Sequence, residues 1–568
     1  MDMSPSQSQS PSGMISSAHR SPGEPSLQLF PLPRKPFRVH AVLPLHKFLA
    51  TRVHPIWLHL CYFASLSLLG FLLLKLIPPR AAATAPAQAP SGLDVFFMSV
   101  SAATVSSMGV VEMEFFSNLQ LVVLTVLMLM GGEVFTSMLA LYLRRLDVEH
   151  EERETTGELV ASDDVHGRRS DDHIELGARM AAAPGSTDTA DGRKLQLRPL
   201  TAPTSSTADR EYLRTRAARC LGFVVLGYFL AANLVGSSLV LAYLNAVPTA
   251  RDVVRSKNIP LPTFAVFSVV SSFGNCGFIP TNENMIVFRE HSGLLLLIAA
   301  VILAGNTLYP PLLRAAIWAV GRWTGRAEYE HMVRNRAEME YDHLLPARHC
   351  HCLAATVAGF VLVQAVAFCC MEWRSGGLEG MGGYQKVVAA LFMAVNSRHA
   401  GESVVDLARV SSAVLVLYVV MMYLPPYTAF MPVGNDHDHA HSGDQPEKDE
   451  TAQGVPIGEN LIFSQLSYIA VFTILICITE RKKLSQDPLN FNVLSIVIEV
   501  VSAYGNVGFS TGYSCGRRLK ADSDCKDMWY GFSGRWSDGG KLLLICVMLF
   551  GRLKKFGINK GGKAWKLA

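Results

Sequence analysis

Residues 271–278 read SSFGNCGF, and residues 502–509 read SAYGNVGF. The two octapeptides align without gaps and share Ser, Gly, Asn, Gly and Phe at the same places. Such a match within one chain indicates an internal repeat, which must be recognised before a fold is assigned. Two weaker octapeptides align with them, SAATVSSM at 101–108 and VNSRHAGE at 395–402. The seventh column of this alignment holds Ser107, Gly277, Gly401 and Gly508.

The composition is that of a membrane protein. Of the 568 residues, 50% are hydrophobic and 17% are charged, whereas soluble domains carry about 25% charged residues. A net charge of +4 is too small to favour a nucleic-acid partner. The first 30 residues are rich in Ser and Pro and lack the apolar core of a secretory signal, so we expect a disordered tail there.

Eight apolar segments approach the roughly 20 residues that a helix needs to cross a bilayer. Four shorter apolar segments lie between them, and each leads directly into one of the octapeptides, as a re-entrant pore helix and loop would. The pattern predicts an all-α membrane protein of four membrane–pore-loop–membrane repeats, with eight transmembrane helices and four re-entrant pore helices in a pseudo-fourfold arrangement around one central pore. The eight segments lie near 53–77, 119–143, 219–246, 293–320, 352–372, 410–431, 461–479 and 541–556.

The hydrophilic stretches separate the four predicted repeats. Basic residues near the predicted spans place these stretches on the cytoplasmic side, although Arg517, Arg518 and Lys520 would then lie outside, against the rule. We expect a disordered cytoplasmic tail over 1–45, repeats A to D over 46–145, 211–323, 350–432 and 459–568, and cytoplasmic linkers over 146–210, 324–349 and 433–458.

A helix breaker lies at a similar depth in the second predicted span of every repeat. Membrane helices tolerate breakers where neighbouring groups or water form hydrogen bonds with the backbone groups that lose their helical partners. The breakers therefore favour kinked helices that line a water-filled pathway. The alternative is that Gly and Pro are simply common in membrane helices. The breakers are Gly131 and Gly132 in repeat A, Gly305, Pro310 and Pro311 in B, Pro425 and Pro426 in C, and Gly551 in D.

The column of small residues suits a path for alkali cations. A ring of backbone carbonyls can replace the hydration shell of a cation. Gly tolerates the backbone geometry that such a ring needs and leaves the axis open, and Ser is the next smallest polar choice. Close helix packing explains a single Gly, but it does not explain four aligned tracts. We therefore predict a selectivity filter formed by Ser107, Gly277, Gly401 and Gly508.

Few charges lie close to the tracts. Glu112, Glu114 and Glu402 could stand at an outer mouth and concentrate cations there, or could be solvated loop residues. Arg552 lies within the depth of the last predicted span, where an ionisable group is a functional candidate by default. It would act as a fixed positive charge beneath the ring, or as the inner anchor of a short span.

Cysteine and histidine suggest two further possibilities. His437, His439 and His441, or the HCHC run at 349–352, could hold a divalent metal, but neither has the two spaced halves of a structural zinc site. Cys515 and Cys525 lie in a polar loop that the topology places outside, where a disulfide could form. No nucleotide-binding, hydrolase or metalloprotease motif occurs in a fitting context, so we expect neither an enzyme nor a cofactor.

Several of these motifs resemble the plant high-affinity potassium transporter (HKT) family, within the Trk/Ktr/HKT superfamily. The resemblance runs from about residue 50 to the end of the chain. It rests on FFMSVSAATVSSMGVVEMEFFSN, LMLMGGEVFTSMLALYL, SSFGNCGFIPTNENM, GNTLYPPLLR, VNSRHAGES, YLPPYTAFMP and SAYGNVGFSTGYSC.

The resemblance implies one central pathway per subunit, in a homodimer embedded in the lipid bilayer. It implies that the column from Ser107 to Gly508 is the filter and that Arg552 lies below it, and we expect Asn275 and Asn506 to support the pore. In the family, Ser at the first filter position goes with sodium selectivity and Gly with potassium or mixed transport. Because this chain has Ser107, Na⁺ is the metal ion expected at the filter.

The resulting hypothesis is a passive sodium-selective transporter of a plant plasma membrane, relevant to salt tolerance, with both termini cytoplasmic. One alternative is sodium–potassium symport or potassium uptake. Another, from a different class, is a membrane-anchored metal-binding or sensor protein that uses the His-rich linker.

Overall fold

The computed structural model describes residues 55–80, 90–143, 205–339, 341–430, 465–518 and 525–557. These residues form α-helices joined by turns, by short 3-10 helices and by longer loops. The predicted tail over 1–45, the linker over 433–458 with its three histidines, and most of the linker over 146–210 lie outside the described residues.

Repeats A and B share one order of helices. Each begins with a long helix, continues with a shorter pore helix that ends at the octapeptide, and closes with a second span that is broken in two. Repeat A consists of α1 (Pro55–Leu76), α2 (Gly92–Ala103), α3 (Asn118–Gly131) and α4 (Glu133–Leu143). Repeat B consists of α5 (Ser205–Ala246), α6 (Pro248–Ser256), α7 (Leu261–Gly274), α8 (Ser292–Gly305) and α9 (Tyr309–Thr324).

Repeats C and D follow the same order, but in repeat C the helix after the octapeptide ends at Tyr423, and in repeat D that helix runs through Gly551 without a break. A separate short helix, α10 (Ala327–Arg334), precedes them, because Gly325 ends α9 in the left-handed conformation at φ 65°. Repeat C consists of α11 (Ala347–Glu372), α12 (Gly383–His399) and α13 (Ser412–Tyr423). Repeat D consists of α14 (Gln465–Thr479), α15 (Arg481–Gln486), α16 (Val493–Gly505) and α17 (Asp538–Gly557).

Each of the eight apolar segments contains a helix, but few of these helices are long and apolar enough to span a bilayer alone. Among the described residues, three helices meet that requirement, or five if each bent pair counts as one span. The pair α3 and α4 is bent by 57°, and the pair α8 and α9 by 83°. The apolar segment predicted over 410–431 is helical only from Ser412 to Tyr423 and ends before Pro425 and Pro426.

Capping residues explain where the pore helices begin and end. The Ser91 hydroxyl accepts a hydrogen bond from Asp94 N, and the Asp94 side chain accepts one from Ser91 N, which closes a capping box at the start of α2. The Asn492 side chain caps α16 in the same way by accepting from Ser495 N. Asn275 and Asn506 end α7 and α16 in the left-handed conformation, at φ 58° and 53°, which Asn tolerates better than most residues do.

The repeats pack in a closed cycle. The helix that follows each tract packs against the pore helix of the next repeat, as α3 does on α7, α8 on α12 and α13 on α16. The cycle closes because α17 packs on α2. The largest buried apolar cluster runs through all four repeats, and this arrangement directs the four octapeptides toward one axis.

In three of the repeats, a glycine permits the helix after the octapeptide to approach the pore helix closely. A Cβ atom at Gly131, Gly305 or Gly551 would overlap a carbonyl oxygen of the pore helix in the same repeat, that of Ala103, Phe273 or Tyr504 respectively. These three carbonyls belong to the third column of the aligned octapeptides. The three glycines therefore occupy equivalent places, although the helix of repeat D continues through Gly551, where the sequence had predicted a breaker.

Candidate functional site

The four residues of the seventh column meet in one ring. A Cβ atom at Gly277 would overlap the carbonyl oxygen of Ala400, and one at Gly401 would overlap that of Val507. A Cβ atom at Gly508 would overlap Cβ of Ser107 and lie 2.6 Å from its Oγ, which is itself 3.1 Å from the Cβ position of Gly277. Each tract thus contacts the next, in the order A, B, C, D and back to A. We call Ser107, Gly277, Gly401 and Gly508 the four-residue ring.

All four ring residues have a positive φ, with values of 55° at Ser107, 82° at Gly277, 74° at Gly401 and 99° at Gly508. Glycine adopts this region freely, whereas a residue with a Cβ atom pays about 1–2 kcal/mol. Ser107 is therefore the one ring position where the backbone is held in an unfavourable conformation and a side chain is present.

Local hydrogen bonds hold the turns that lead into the ring. In repeats A, B and D the sixth-column N–H donates to the first-column carbonyl, from Ser106 to Ser101 at 2.8 Å, from Cys276 to Ser271 at 2.8 Å, and from Val507 to Ser502 at 2.9 Å. Repeat C differs because its pore helix continues to His399. There the N–H groups of Ala400 and Gly401 both point to the Asn396 carbonyl at 3.2 Å.

The fifth column lines a cavity next to the ring. Val105, Asn275, His399 and Asn506 all border it, together with Glu133, Gly274, Asn306 and Arg552. The volume of about 10 Å³ fits one water-sized group. The Asn506 amide donates to Ser106 Oγ at 2.8 Å and to the Met548 carbonyl at 3.1 Å, and the Asn275 amide donates to the Phe273 carbonyl at 3.1 Å. Both asparagines thus brace the turns with their amide nitrogens and border the cavity.

Arg552 also lies at this cavity and is fully buried. Its Nη2 donates to the Gly131 carbonyl at 2.5 Å, and its guanidinium carbon lies 5.5 Å from the centre of the Phe63 ring. The Glu133 side chain borders the same cavity. The structure therefore places this positive charge beside the cavity next to the four-residue ring, in a fully buried position.

Two of the three predicted mouth carboxylates bind neighbouring segments. Glu112 Oε1 accepts from Trp529 N at 3.0 Å. Glu114 Oε1 lies 2.9 Å from Lys257 Nζ, which also donates to Glu283 at 2.5 Å. Burial lowers the pKa of Lys257, but its hydrogen bonds to Glu283 and Glu114 outweigh burial and raise the pKa above its ordinary value. Both carboxylates join repeat A to another repeat.

The third carboxylate, Glu402, does not stand at an open mouth. Its side chain is fully buried, and its Oε1 lies 2.5 Å from Ser272 Oγ in pore helix α7 of repeat B. The expectation of a solvated mouth residue is corrected here, because the chain turns the side chain of Glu402 inward behind the ring.

Sequence reasoning missed Arg398, which is buried in pore helix α12. Its Nη2 donates to the carbonyls of Pro425 at 2.9 Å and Pro426 at 3.3 Å. This contact holds the Arg398 guanidinium against the segment that follows the end of α13 at Tyr423. A charge inside a short apolar segment was the signal that could have identified it.

The HCHC run at 349–352 does not form a metal site in the structure. Residues 349–352 form the start of α11, and no group of three His, Cys, Asp or Glu side chains in the described ranges is arranged to hold a metal ion. Cys515 and Cys525 are joined by a disulfide.

Comparisons with known proteins identify the family of this chain. Residues 200–558 match the TrkH family, described as a cation transport protein. The chain is 46% identical to cation transporter HKT1;3 of rice, over 90% of this chain and 92% of that protein, and 47% identical to sodium transporter HKT1 of Arabidopsis thaliana, over 87% and 91%. The crystal structure of the potassium transporter TrkH from Vibrio parahaemolyticus aligns with a TM-score of 0.44 at 13% identity, over 90% of this chain and 86% of that chain. The chain therefore belongs to the TrkH/HKT family of membrane cation transporters and is not an enzyme.

Proposed function

We propose that this transporter conducts Na⁺ passively through the four-residue ring, which acts as its selectivity filter. The observation that carries the proposal is the asymmetry of the ring. Three of the ring residues are glycine, and the fourth is Ser107. Its side chain lies against the Cβ positions of both Gly508 and Gly277. A carbonyl-lined ring replaces the water shell of a cation, and the chain holds these four positions in contact.

The Ser107 side chain supports a preference for the smaller cation. Its hydroxymethyl group occupies volume at the junction of tracts A and D, so that this quarter of the ring has less freedom to widen. K⁺ needs a wider ring of oxygens than Na⁺ does, and selectivity arises from the size of the ring and the field of its ligands. The name of the Arabidopsis relative, a sodium transporter, agrees with this assignment.

Arg552 supports conduction without accumulation of ions in the cavity. A buried positive charge repels a cation strongly where the local dielectric constant is low. Because Arg552 and the carboxylate of Glu133 border the same cavity, the net field there is moderated. We propose that a cation leaving the ring crosses this cavity without being held in it.

The topology and assembly belong to the same proposal. We place the segments after the tracts on the outer face of the plasma membrane and both termini in the cytoplasm. The disulfide between Cys515 and Cys525 fits an oxidising outer face. We propose a homodimer with one pore in each subunit.

Voltage-clamp recording of oocytes, with external Na⁺ and K⁺ varied independently, tests the proposal. The wild-type reversal potential should follow Na⁺ and respond little to K⁺. Ser107→Gly removes the side chain and relaxes the strained φ, so K⁺ permeability should rise relative to Na⁺ permeability. Gly109→Ser is the matched control, because a Cβ atom at Gly109 meets only Phe278, at 3.9 Å, and it should leave the ratio unchanged.

The alternatives give different results in the same recordings. If currents required both cations together, the protein would be a symporter. If K⁺ alone set the wild-type reversal potential, it would be a potassium uptake transporter. Deletion of residues 433–450 should leave conduction intact, and a loss of all current at normal surface expression would favour the metal-binding or sensor class.

A further inference from the structure

The eighth column of the aligned octapeptides contains one exception to an apolar pattern. Met108, Phe278 and Phe509 occupy it in repeats A, B and D, and each is buried. Repeat C has Glu402 at this place, directly after the ring residue Gly401, and this side chain is also fully buried. Three repeats thus show that an apolar side chain suffices to pack the column.

The Glu402 carboxyl group forms a hydrogen bond between two repeats. Its Oε1 lies 2.5 Å from Ser272 Oγ, which belongs to α7 of repeat B. The same hydroxyl lies 2.7 Å from the Ser268 carbonyl, so its single hydrogen points either to that carbonyl, with the carboxyl group donating to Ser272, or to Glu402. Oε2 is buried and has no hydrogen-bond partner among the residues that the structure describes.

Burial of a carboxyl group is costly unless its contacts compensate, and an apolar side chain of similar size avoids that cost. Packing therefore does not explain why repeat C alone carries a carboxyl group. The contact with Ser272 is the feature that an apolar residue could not replace.

The backbone of repeat C shows what this contact supplies. The other three tracts have the hydrogen bond from the sixth column to the first at 2.8 or 2.9 Å, whereas in tract C two N–H groups share the Asn396 carbonyl at 3.2 Å each. The Asn396 side chain adds a bond from Glu402 N to its Oδ1 at 3.0 Å. Tract C therefore lacks the hydrogen bond from the sixth column to the first, and the longer bonds to the Asn396 carbonyl and the bond to the Asn396 side chain stand in its place.

We propose that Glu402 is a positioning residue for ion selectivity: its contact with Ser272 holds the Gly401 corner of the ring against repeat B. The inference rests on the proposed filter function and extends it to a residue that does not touch the ion. Without the hydrogen bond between Glu402 and Ser272, Gly401 can move outward from the ring axis. The ring then discriminates less between Na⁺ and K⁺.

Four variants test the bridge: Glu402→Ala, Glu402→Gln, Ser272→Ala and the double variant Glu402→Ala with Ser272→Ala. Permeability ratios from reversal potentials are compared at matched surface expression. Loss of a hydrogen bond of this kind should raise K⁺ relative to Na⁺ permeability by about three- to tenfold in Glu402→Ala. Glu402→Gln should retain the wild-type ratio, because an amide can accept from Ser272 or donate to it. Ser272→Ala should shift the ratio in the same direction, and the double variant should shift it no further.

Glu379→Ala is the matched control, because Glu379 is an exposed carboxylate of the same repeat, and its permeability ratio should equal that of wild type. A wild-type ratio in Glu402→Ala at normal surface expression would overturn the inference, as would an equal shift in Glu402→Gln and Glu402→Ala. If Glu402→Ala does not reach the surface, Ser272→Ala decides, and a wild-type ratio there overturns the inference. Ser107→Gly is recorded in parallel. A shift in Ser107→Gly alone would leave the filter proposal standing and remove only the role of Glu402.

Discussion

The side chain of Ser107 occupies the space into which a side chain at Gly508 would project. The two residues belong to tracts A and D, 401 positions apart in the chain (508 − 107), and they meet only because α17 packs on α2 and closes the cycle of repeats. The space between Ser107 and Gly508 therefore holds one side chain, so only one of these two ring positions can carry it.

Moving the side chain from position 107 to position 508 should preserve part of the current. Gly508→Ala alone should abolish most current, because the new methyl group would overlap Ser107 and because a φ of 99° is unfavourable for a residue with a Cβ atom. The double variant Ser107→Gly with Gly508→Ala removes the overlap and should recover part of the current, measured per molecule at the oocyte surface.

Gly401→Ala is the control for this exchange. A side chain at Gly401 would overlap the Val507 carbonyl, which Ser107→Gly does not move. Recovery of Gly401→Ala by Ser107→Gly would contradict the ring geometry, as would a failure to recover any current in the double variant at Gly508.

The glycines of the second spans should be intolerant of even a methyl group. In Gly131→Ala, Gly305→Ala and Gly551→Ala the new Cβ atom overlaps a pore-helix carbonyl, so we expect a loss of stability of about 1–3 kcal/mol or more. Thermal unfolding of detergent-purified protein and surface expression measure the effect. Gly222→Ala and Gly359→Ala are matched controls in helices α5 and α11 because no atom lies within 4 Å of either Cβ position. They should be neutral or stabilising by up to about 1 kcal/mol, and equal damage in both sets would refute the explanation.

Lys257 should stabilise the contact between repeats A and B at any physiological pH. Lys257→Met leaves the carboxylates of Glu114 and Glu283 without the ammonium that lies between them, and we expect the melting temperature to fall by about 1–3 °C. Because the Lys257 pKa is raised in the folded state, its contribution is complete below the ordinary lysine pKa and is lost only as pH rises through the raised value. The difference between variant and wild type should therefore stay constant between about pH 6 and about pH 8. A difference that vanished toward the upper end of this range would contradict the assignment.

His291 should contribute an acid-sensitive part of the stability. Its Nε2 lies 3.0 Å from Thr249 Oγ1 just before α8, and burial lowers its pKa below the ordinary value of 6.5. The folded state thus favours the neutral ring, and the contribution is present above the ordinary pKa and lost as pH falls through the lowered one. The melting temperature should drop between about pH 7 and about pH 5, and less so in His291→Gln. His351→Gln, which changes an exposed ring, is the control, and an equal drop in both variants would count against His291.

The sequence alone predicted the ring because its signal is local. Four octapeptides carry small residues in one column, and Gly131, Gly305 and Gly551 each approach the equivalent pore-helix carbonyl in their own repeat. The order of the tracts around the ring depends on helix packing between repeats, which no octapeptide records.

Buried polar residues were the part that sequence reasoning could not place. Glu402 reads as a solvated carboxylate because its partner, Ser272, lies 130 positions earlier in the chain. Arg398 is hidden in an apolar segment, and its partner carbonyls belong to residues just beyond the end of α13. Such contacts arise from the closed packing of the repeats, so the sequence can mark a buried charge such as Arg398 but does not identify its partner.

The unequal corners of the four-residue ring also bear on how such a protein can change over generations. In an assembly of four identical subunits, one codon change alters every corner at once. Here the corners are encoded separately, so a mutation at Ser107 changes a quarter of the ring and leaves three glycines as they were. Under the proposed function, a change of ion preference at Ser107 therefore needs one mutation only and leaves the other three ring residues in place.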